Sequence, residues 1–361
     1  MANGTFTDIS LVTIQQSIND VLGNPNSVSR HNLLYTPVIG KAMMENRRNT
    51  IAALEEKGKE FSVDVVWVAE DGTETAGSPD VTDCSPDGEE LGGYKQNYTM
   101  ALTDGAEMTL KINTADYRNK FVSADEARAV ALLQIDKRIA EKFNKYCYDF
   151  LVANIGTSVY SPETLGSVTN NSSGIEVPYA NYTGDKLIPE MVVANEVNKL
   201  GGSFFIGGPL FHIEWQNATK NSANAEGKGT AARWADLSWY FDNQKMAGVS
   251  GSPVFQVSPL SYMIAMKNRH EAAPREIKGS DQFNIVYSFE SNFIPGMMID
   301  IQESHACSGG DYLHPVITLT GRVYYKGYLN PKGIQGAISG VQPAETANSG
   351  IVKWFRGAQA S

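Results

Sequence analysis

Between Ser123 and Ile155 the apolar residues Leu132, Ile135, Ile139, Phe143, Tyr146 and Phe150 recur at steps of three or four. That spacing puts them on one face of a helix. The stretch contains no Pro or Gly and is rich in Ala, Leu, Lys and Glu, all good helix formers. Ser123 and Glu126 make the S-x-x-E of a capping box, and Gly156 supplies a stop. At 1.5 Å per residue the helix would be about 50 Å long, well beyond the usual roughly 11–12 residues. Its polar positions carry both signs: Asp125, Glu126, Asp136, Glu141 and Asp149 against Arg128, Lys137, Arg138, Lys142 and Lys145. An amphipathic helix of this kind suits any helical core, so its neighbours along the chain decide what it means.

The pattern ahead of the helix is different. Residues 1–60 lack a dense apolar rhythm. Ile9–Val21 reads as a short helix, Tyr35–Ile39 as extended, and Lys41–Lys57 as a helix closed by Gly58. The segment is expected to need a partner to order it. Ser62–Val68 is Val-rich and strand-like, with Tyr94–Met100 and Met108–Ile112 as further strands. Glu70–Gly93, between the first two, is dense in turn formers, which makes a long hairpin with a large polar excursion. Residues 61–112 hold eleven acids and only two bases, Lys95 and Lys111, a net of −9. Those acids read as a solvated face, or as a loop that docks on a basic surface of another subunit.

Behind the helix, Thr157–Gly184 reads as a connection. A helix from Asp185 to Leu200, a strand at Ser203–Ile206 and a helix at Leu210–Ala218 form a mixed α and β unit. Thr219–Thr230 is expected to be an exposed loop. Trp234, Trp239, Tyr240 and Phe241 cluster for core packing or a subunit contact. Short strands follow at Val254–Val257, Tyr262–Met266, Phe283–Phe289 and Met297–Gln302. Val316–Tyr328 alternates apolar and polar residues as one long strand, with Gly321 read as a bulge. Ile351–Phe355 reads as a small hydrophobic patch that tacks down the C-terminus.

Charge and chemistry narrow the function. A net charge of −10 and a pI near 5.1 argue against a general nucleic-acid binder. Cys84, Cys147 and Cys307 are odd in number and widely spaced, which suits a reducing compartment. No signal peptide and no apolar run of membrane-spanning length is visible. His305, Cys307 and His314 lie near one another in sequence without metal-ligand spacing, and the acidic loop lacks EF-hand spacing. Gly201–Gly208 lacks the phosphate-cradling pattern, and Gly248–Ser252 is not G-x-S-x-G. No catalytic, cofactor or metal residues are assigned, and the chain is not read as an enzyme.

The order of these elements (an underpacked arm, an acidic hairpin, a long amphipathic helix, a mixed α/β region and a long late strand) resembles the major capsid proteins of tailed bacteriophages. The resemblance implies an α+β, HK97-like fold. It assigns 1–60 to an N-arm, 61–112 to an extended E-loop, 113–184 to a peripheral domain with the spine helix, 185–315 to an axial domain, and 316–361 to the return strand and tail. It implies self-assembly as hexamers and pentamers into an icosahedral shell around double-stranded DNA, held without sequence-specific binding. Portal and minor capsid or decoration proteins are the implied partners, and no membrane. The implied location is the virion, after assembly in the host cytoplasm. Encapsulins, shells of cellular protein compartments, share the fold and are the alternative.

Residues 1–50 carry a net charge of only +1, which suits a genome contained and not condensed by the coat. With no long charged helix ahead of the arm, no fused scaffold is expected. For subunit contact the expectation is that Asp80, Asp83, Asp87, Glu89 and Glu90 lie over Lys137, Arg138, Lys142 and Lys145 of a neighbour. Some family members weld subunits through a Lys–Asn bond, for which Lys95 and Asn330 are the analogous candidates.

Overall fold

The structure, a computed structural model, describes residues 37–46, 50–52, 60–68, 93–117, 124–224, 237–330 and 349–359, apart from single residues and stretches of up to five within three of these ranges. In chain order the elements are α1 (Val38–Glu45), β1 (Thr50–Ala52), β2 (Glu60–Val68), β3 (Gly93–Ala101), β4 (Ala106–Asn113) and α2 (Ala124–Ala153). Then come β5 (Thr169–Asn171), β6 (Gly174–Val177), α3 (Gly184–Val197), β7 (Phe204–Gly207), α4 (Pro209–Asn224) and β8 (Ser238–Phe241). The last are β9 (Val254–Val257), β10 (Tyr262–Lys267), β11 (Arg275–Ile277), β12 (Phe283–Glu290), β13 (Met298–Ser308), β14 (Asp311–Leu329) and β15 (Ile351–Arg356).

The chain divides into two units. The first holds the described residues up to Phe61, Met100–Cys147 and Ile264–Lys326. Its sheet runs β1-β10-β14-β13-β12-β11, with β4 also paired to β14. On β14 the buried residues Ile317, Leu319, Gly321 and Val323 alternate with less buried Thr318, Thr320 and Arg322, the period of a strand with one covered face. α2 lies on that face. A Cβ on Gly321 would stand 2.3 Å from Ile135 Cγ2 and 3.2 Å from Ile139 Cδ1. Side chains of α2 therefore rest on the strand backbone itself, and only glycine leaves room for them.

Leu132, Ile135, Ile139 and Phe143 are fully buried, as the helical spacing requires. Burial extends beyond that face, to Ala129, Leu133 and Ala140, and α1 packs on α2 at Phe143 and Asn144. Asn144 of α2 accepts the Gly40 N–H at 2.7 Å, satisfying a backbone donor in the first turn of α1 that has no partner within its own helix. Two charged residues of α2 are also buried. Arg128 pairs with Glu303 of β13, whose other oxygen lies 2.8 Å from His305 Nε2. Burial alone would lower the Arg128 guanidinium; Glu303 and then Tyr287 outweigh it and hold the group charged, above its ordinary pKa. Asp136 accepts the Ser291 hydroxyl at 2.5 Å, the Asn292 N–H at 2.8 Å and the Asn292 amide at 3.0 Å. Burial pushes its pKa up to about 6, and those three donors only partly offset this.

The second unit holds Ser62–Thr99, Tyr148–Met263 and the described residues from Gly327 onward. Its six-stranded sheet runs β5-β6-β15-β9-β7-β8. β15 is central, parallel to β6 and antiparallel to β9. Trp354 is fully buried there and donates its indole N–H to Gln256 at 3.2 Å. Leu187, Ile188 and Met191 of α3 and Phe211 of α4 belong to the same core. α3 and α4 meet closely at Gly184, whose N–H donates to the Glu214 carboxylate at 2.9 Å.

Several expectations are corrected. The helix read over Lys41–Lys57 is α1, which ends at Glu45 and is followed by β1; Val38 and Ile39, read as extended, belong to it. Five of the eight α1 residues are buried, so this part of the arm already packs on its own chain. Gly321 is no bulge: it pairs in register with Ile301 and Met108, and the irregularity in β13 lies between Ala306 and Ser308. Ile351–Phe355, read as a small hydrophobic patch that tacks down the C-terminus, is a central strand of a sheet, and Thr157–Gly184 contributes β5 and β6. The first part of the expected loop at Thr219–Thr230 continues α4 to Asn224. The capping box at Ser123 and the helix at Ile9–Val21 lie outside the described residues.

Two predictions follow from the packing of α2. Gly321→Ala should destabilise the chain by about 1–3 kcal/mol, and Ile135→Ala combined with it should recover part of the loss in a double-mutant cycle of denaturant unfolding. For Asp136, the folded pKa of about 6 lies above the unfolded value of 3.8. Between those values the folded chain holds a proton that the unfolded chain has released. Wild-type stability relative to Asp136→Asn should therefore be greatest below pH 3.8 and fall by up to about 3 kcal/mol as pH rises through 6. A flat difference across that range would refute it.

Candidate subunit interface

β2 and β3 are the arms of the expected hairpin. They form a two-stranded sheet, and neither pairs with a third strand among the described residues. Each is nine residues long, roughly 30 Å at the rise of a β-strand. An isolated two-stranded ribbon is marginal in water and needs another surface to pack on.

The end of β3 is riveted within the second unit. Tyr98 and Tyr328 pack with ring centroids 4.3 Å apart. Each donates its hydroxyl to the other strand's backbone, Tyr328 to Thr99 O at 2.9 Å and Tyr98 to Leu329 O at 3.4 Å. Within the first unit, Asp104 caps the turn from β3 to β4. One of its carboxylate oxygens accepts the Ala101 N–H and the Lys326 ammonium, each at 3.0 Å. Gly105 follows with φ +142°, and a Cβ there would sit 2.1 Å from Val323 O. Arg322 joins Glu107 of β4 to Gln302 of β13. Sequence reasoning did not single out these anchors, although Asp104-Gly105 between two strands is a strong hairpin signal.

The acids Asp80, Asp83, Asp87, Glu89 and Glu90 lie outside the described residues. The bases expected to receive them are on α2, and three have partners in their own chain. Lys137 and Arg138 share Glu141, at 3.8 and 3.2 Å, and Lys142 donates to the Glu107 carbonyl at 2.6 Å. Lys145 is exposed and also interacts within the chain. Exposed pairs of this kind are weak and exchangeable. Lys95 is in β3, its side chain outside the description. Asn330 is buried, its N–H donated to Ser261 O at 2.9 Å, so a bond to its carboxamide would first require exposing it. Among the described residues no group of His, Cys, Asp and Glu has metal-binding geometry, and no helix is long and apolar enough to cross a membrane.

No protein-family model and no curated protein matches the chain. Among solved structures, the chain is similar to the capsid structure of the Cyanophage P-SCSP1u, at 11% identity over 86% of each chain with a TM-score of 0.43. It is similar to a structure from Mycobacterium phage Adephagia, at 12% identity over 92% of this chain and 94% of that one, TM-score 0.42. A third is the asymmetric unit of the bacteriophage PhiM1 mature capsid, at 7% identity over 87% of each chain, TM-score 0.40.

The tyrosine rivet makes a local prediction. Tyr98→Ala or Tyr328→Ala should each weaken the ribbon by about 1–2 kcal/mol, seen as faster amide hydrogen exchange in β2 and β3. Exchange in β12 and β13 should not change. Equal acceleration in both sheets would contradict a local anchor.

Proposed function

We propose that this chain is the major coat protein of a tailed bacteriophage. Copies assemble as hexamers and pentamers into an icosahedral shell around double-stranded DNA. The observation that carries the reading is the β2–β3 ribbon, fastened at one end, without a third strand among the described residues, and leading into a strongly acidic excursion. Such a limb gains stability when a neighbour covers it. α2, wedged against the sheet, supplies the stiff frame that carries load from one contact to the next. Val193 and Val197, one turn apart on α3, and Ile213 on α4 expose apolar side chains that offer a further contact. Weak contacts repeated around a closed shell sum to a stable particle.

On this reading 1–60 is the N-arm, 61–112 the E-loop, 113–184 with 316–361 the peripheral domain and its tail, and 185–315 the axial domain. The shell lies in the virion, assembled in the host cytoplasm, and meets portal and minor capsid or decoration proteins. The net charge of −10 suits DNA that is enclosed and not gripped. The chain's task is structural, without catalysis.

Sedimentation and negative-stain microscopy of the purified protein test this directly. Large hollow particles are expected, and a small soluble oligomer would end the reading. Particles from the native source should contain DNA; particles filled with protein and no genome would favour a cellular compartment. Replacing 70–92 by Asn-Gly should leave circular dichroism intact and cut particle yield at least about tenfold.

A further inference from the structure

The second unit carries an open cavity of about 460 Å3 beside the end of β15. Lys353, Arg356 and Phe355 of β15 line it, with Glu176 of β6, Tyr179 and Gly251. The Lys353 ammonium lies 4.9 Å from the Phe355 ring centroid, and the Arg356 guanidinium 4.5 Å from that of Tyr179. Neither cation pairs with a carboxylate among the described residues. Burial lowers the half-buried Lys353 ammonium below its ordinary pKa, and no acid offsets it.

The rim is rigid. Gly248, Gly251 and Ser252 all have positive φ. The Gly251 carbonyl accepts the Arg356 N–H at 2.7 Å, and Ser252 O accepts the Tyr182 hydroxyl at 2.6 Å. Two cations set on aromatic rings beside a fixed turn are ready to receive carboxylates.

We infer that this cavity receives a carboxylate-rich peptide segment, and that the segment is residues 78–92 of a second copy of the chain. The identity of the partner rests on the coat-protein reading; the chemistry of the cavity does not. Residues 78–92 carry Asp80, Asp83, Asp87, Glu89 and Glu90 and no base. Among the described residues that line it, the cavity carries Lys353 and Arg356 against Glu176. Lys137, Arg138 and Lys142 of α2 already make contacts in cis, which a docking segment would have to displace. A chain this acidic has little reason to offer the cavity to nucleic acid.

The cavity is tested by titrating the full-length chain with a fluorescent peptide of residues 78–92 carrying Cys84→Ser. Binding should weaken at least about tenfold in Lys353→Met/Arg356→Met and tighten by about threefold or more in Glu176→Gln. The opposite responses guard against misfolding as the cause. Unchanged binding in both variants overturns the inference. So does a short oligothymidylate that binds at the cavity while the peptide fails to compete.

The second-copy assignment is tested by assembly. Lys353→Glu/Arg356→Glu in one chain, and reversal of the five acids to Lys in another, should each cut particle yield at least about tenfold. Mixing the two chains should restore particles. Rescue only when both sets sit in one chain means docking within a chain and overturns the assignment; no rescue in either form overturns it as well. Wild-type chain that forms no particles overturns the coat reading and the assignment together. The peptide titration still decides the cavity.

Discussion

The fold of the first unit depends on how closely α2 approaches β14. Ile135 and Ile139 rest on the backbone at Gly321, with no side chain between helix and strand. That distance sets the depth of the core shared with Ile301 and Leu319. It also brings Arg128 within reach of Glu303 and Asp136 within reach of Ser291 and Asn292. Buried charges at a helix–sheet interface are tolerable only when geometry satisfies them. A helix displaced outward by one methyl group would loosen both contacts. They therefore fix the position of α2 along the strand as well as its height, which apolar packing alone leaves less defined.

The parts legible in the sequence were those governed by local periodicity. The buried face of α2, the alternation along β14 and the apolar run of β9 all follow from spacing within one segment. What escaped depends on partners far away in the chain. β15 is five or six residues of apolar character, and such a run has the same appearance on a surface or in the middle of a sheet. Gly321 suggested a bulge because isolated strand glycines often mark one. Its actual cause is the helix above it, which no local pattern encodes. α1 stopped earlier than its composition allowed because the chain at 50–52 pairs with β10, a tertiary override of propensity.

The candidate interface was legible as charge and not as contact. The acidic excursion stood out in composition, and Lys137, Arg138, Lys142 and Lys145 stood out as bases on one helix. Whether those bases were available was invisible, since Glu141 and the Glu107 carbonyl are set against them only by the fold. Lys353 and Arg356 carry no signal in the sequence, being single bases near an apolar run. Their surroundings are assembled from β6, the 248–252 turn and the end of β15, three separate segments. The tyrosine pair at the ribbon's end joins residues equally remote in the chain.

The central place of β15 has a consequence for synthesis. Its partners β6 and β9 emerge from the ribosome long before it does, yet the slot between them stays open until Ile351–Arg356 arrives. From the completion of β9 until β15 is made, about a hundred residues later, the nascent chain must carry that exposed edge and the vacant indole site of Trp354, a state prone to wrong pairing. A product cut short by a few dozen codons would thus lack the middle of a sheet and not merely a tail.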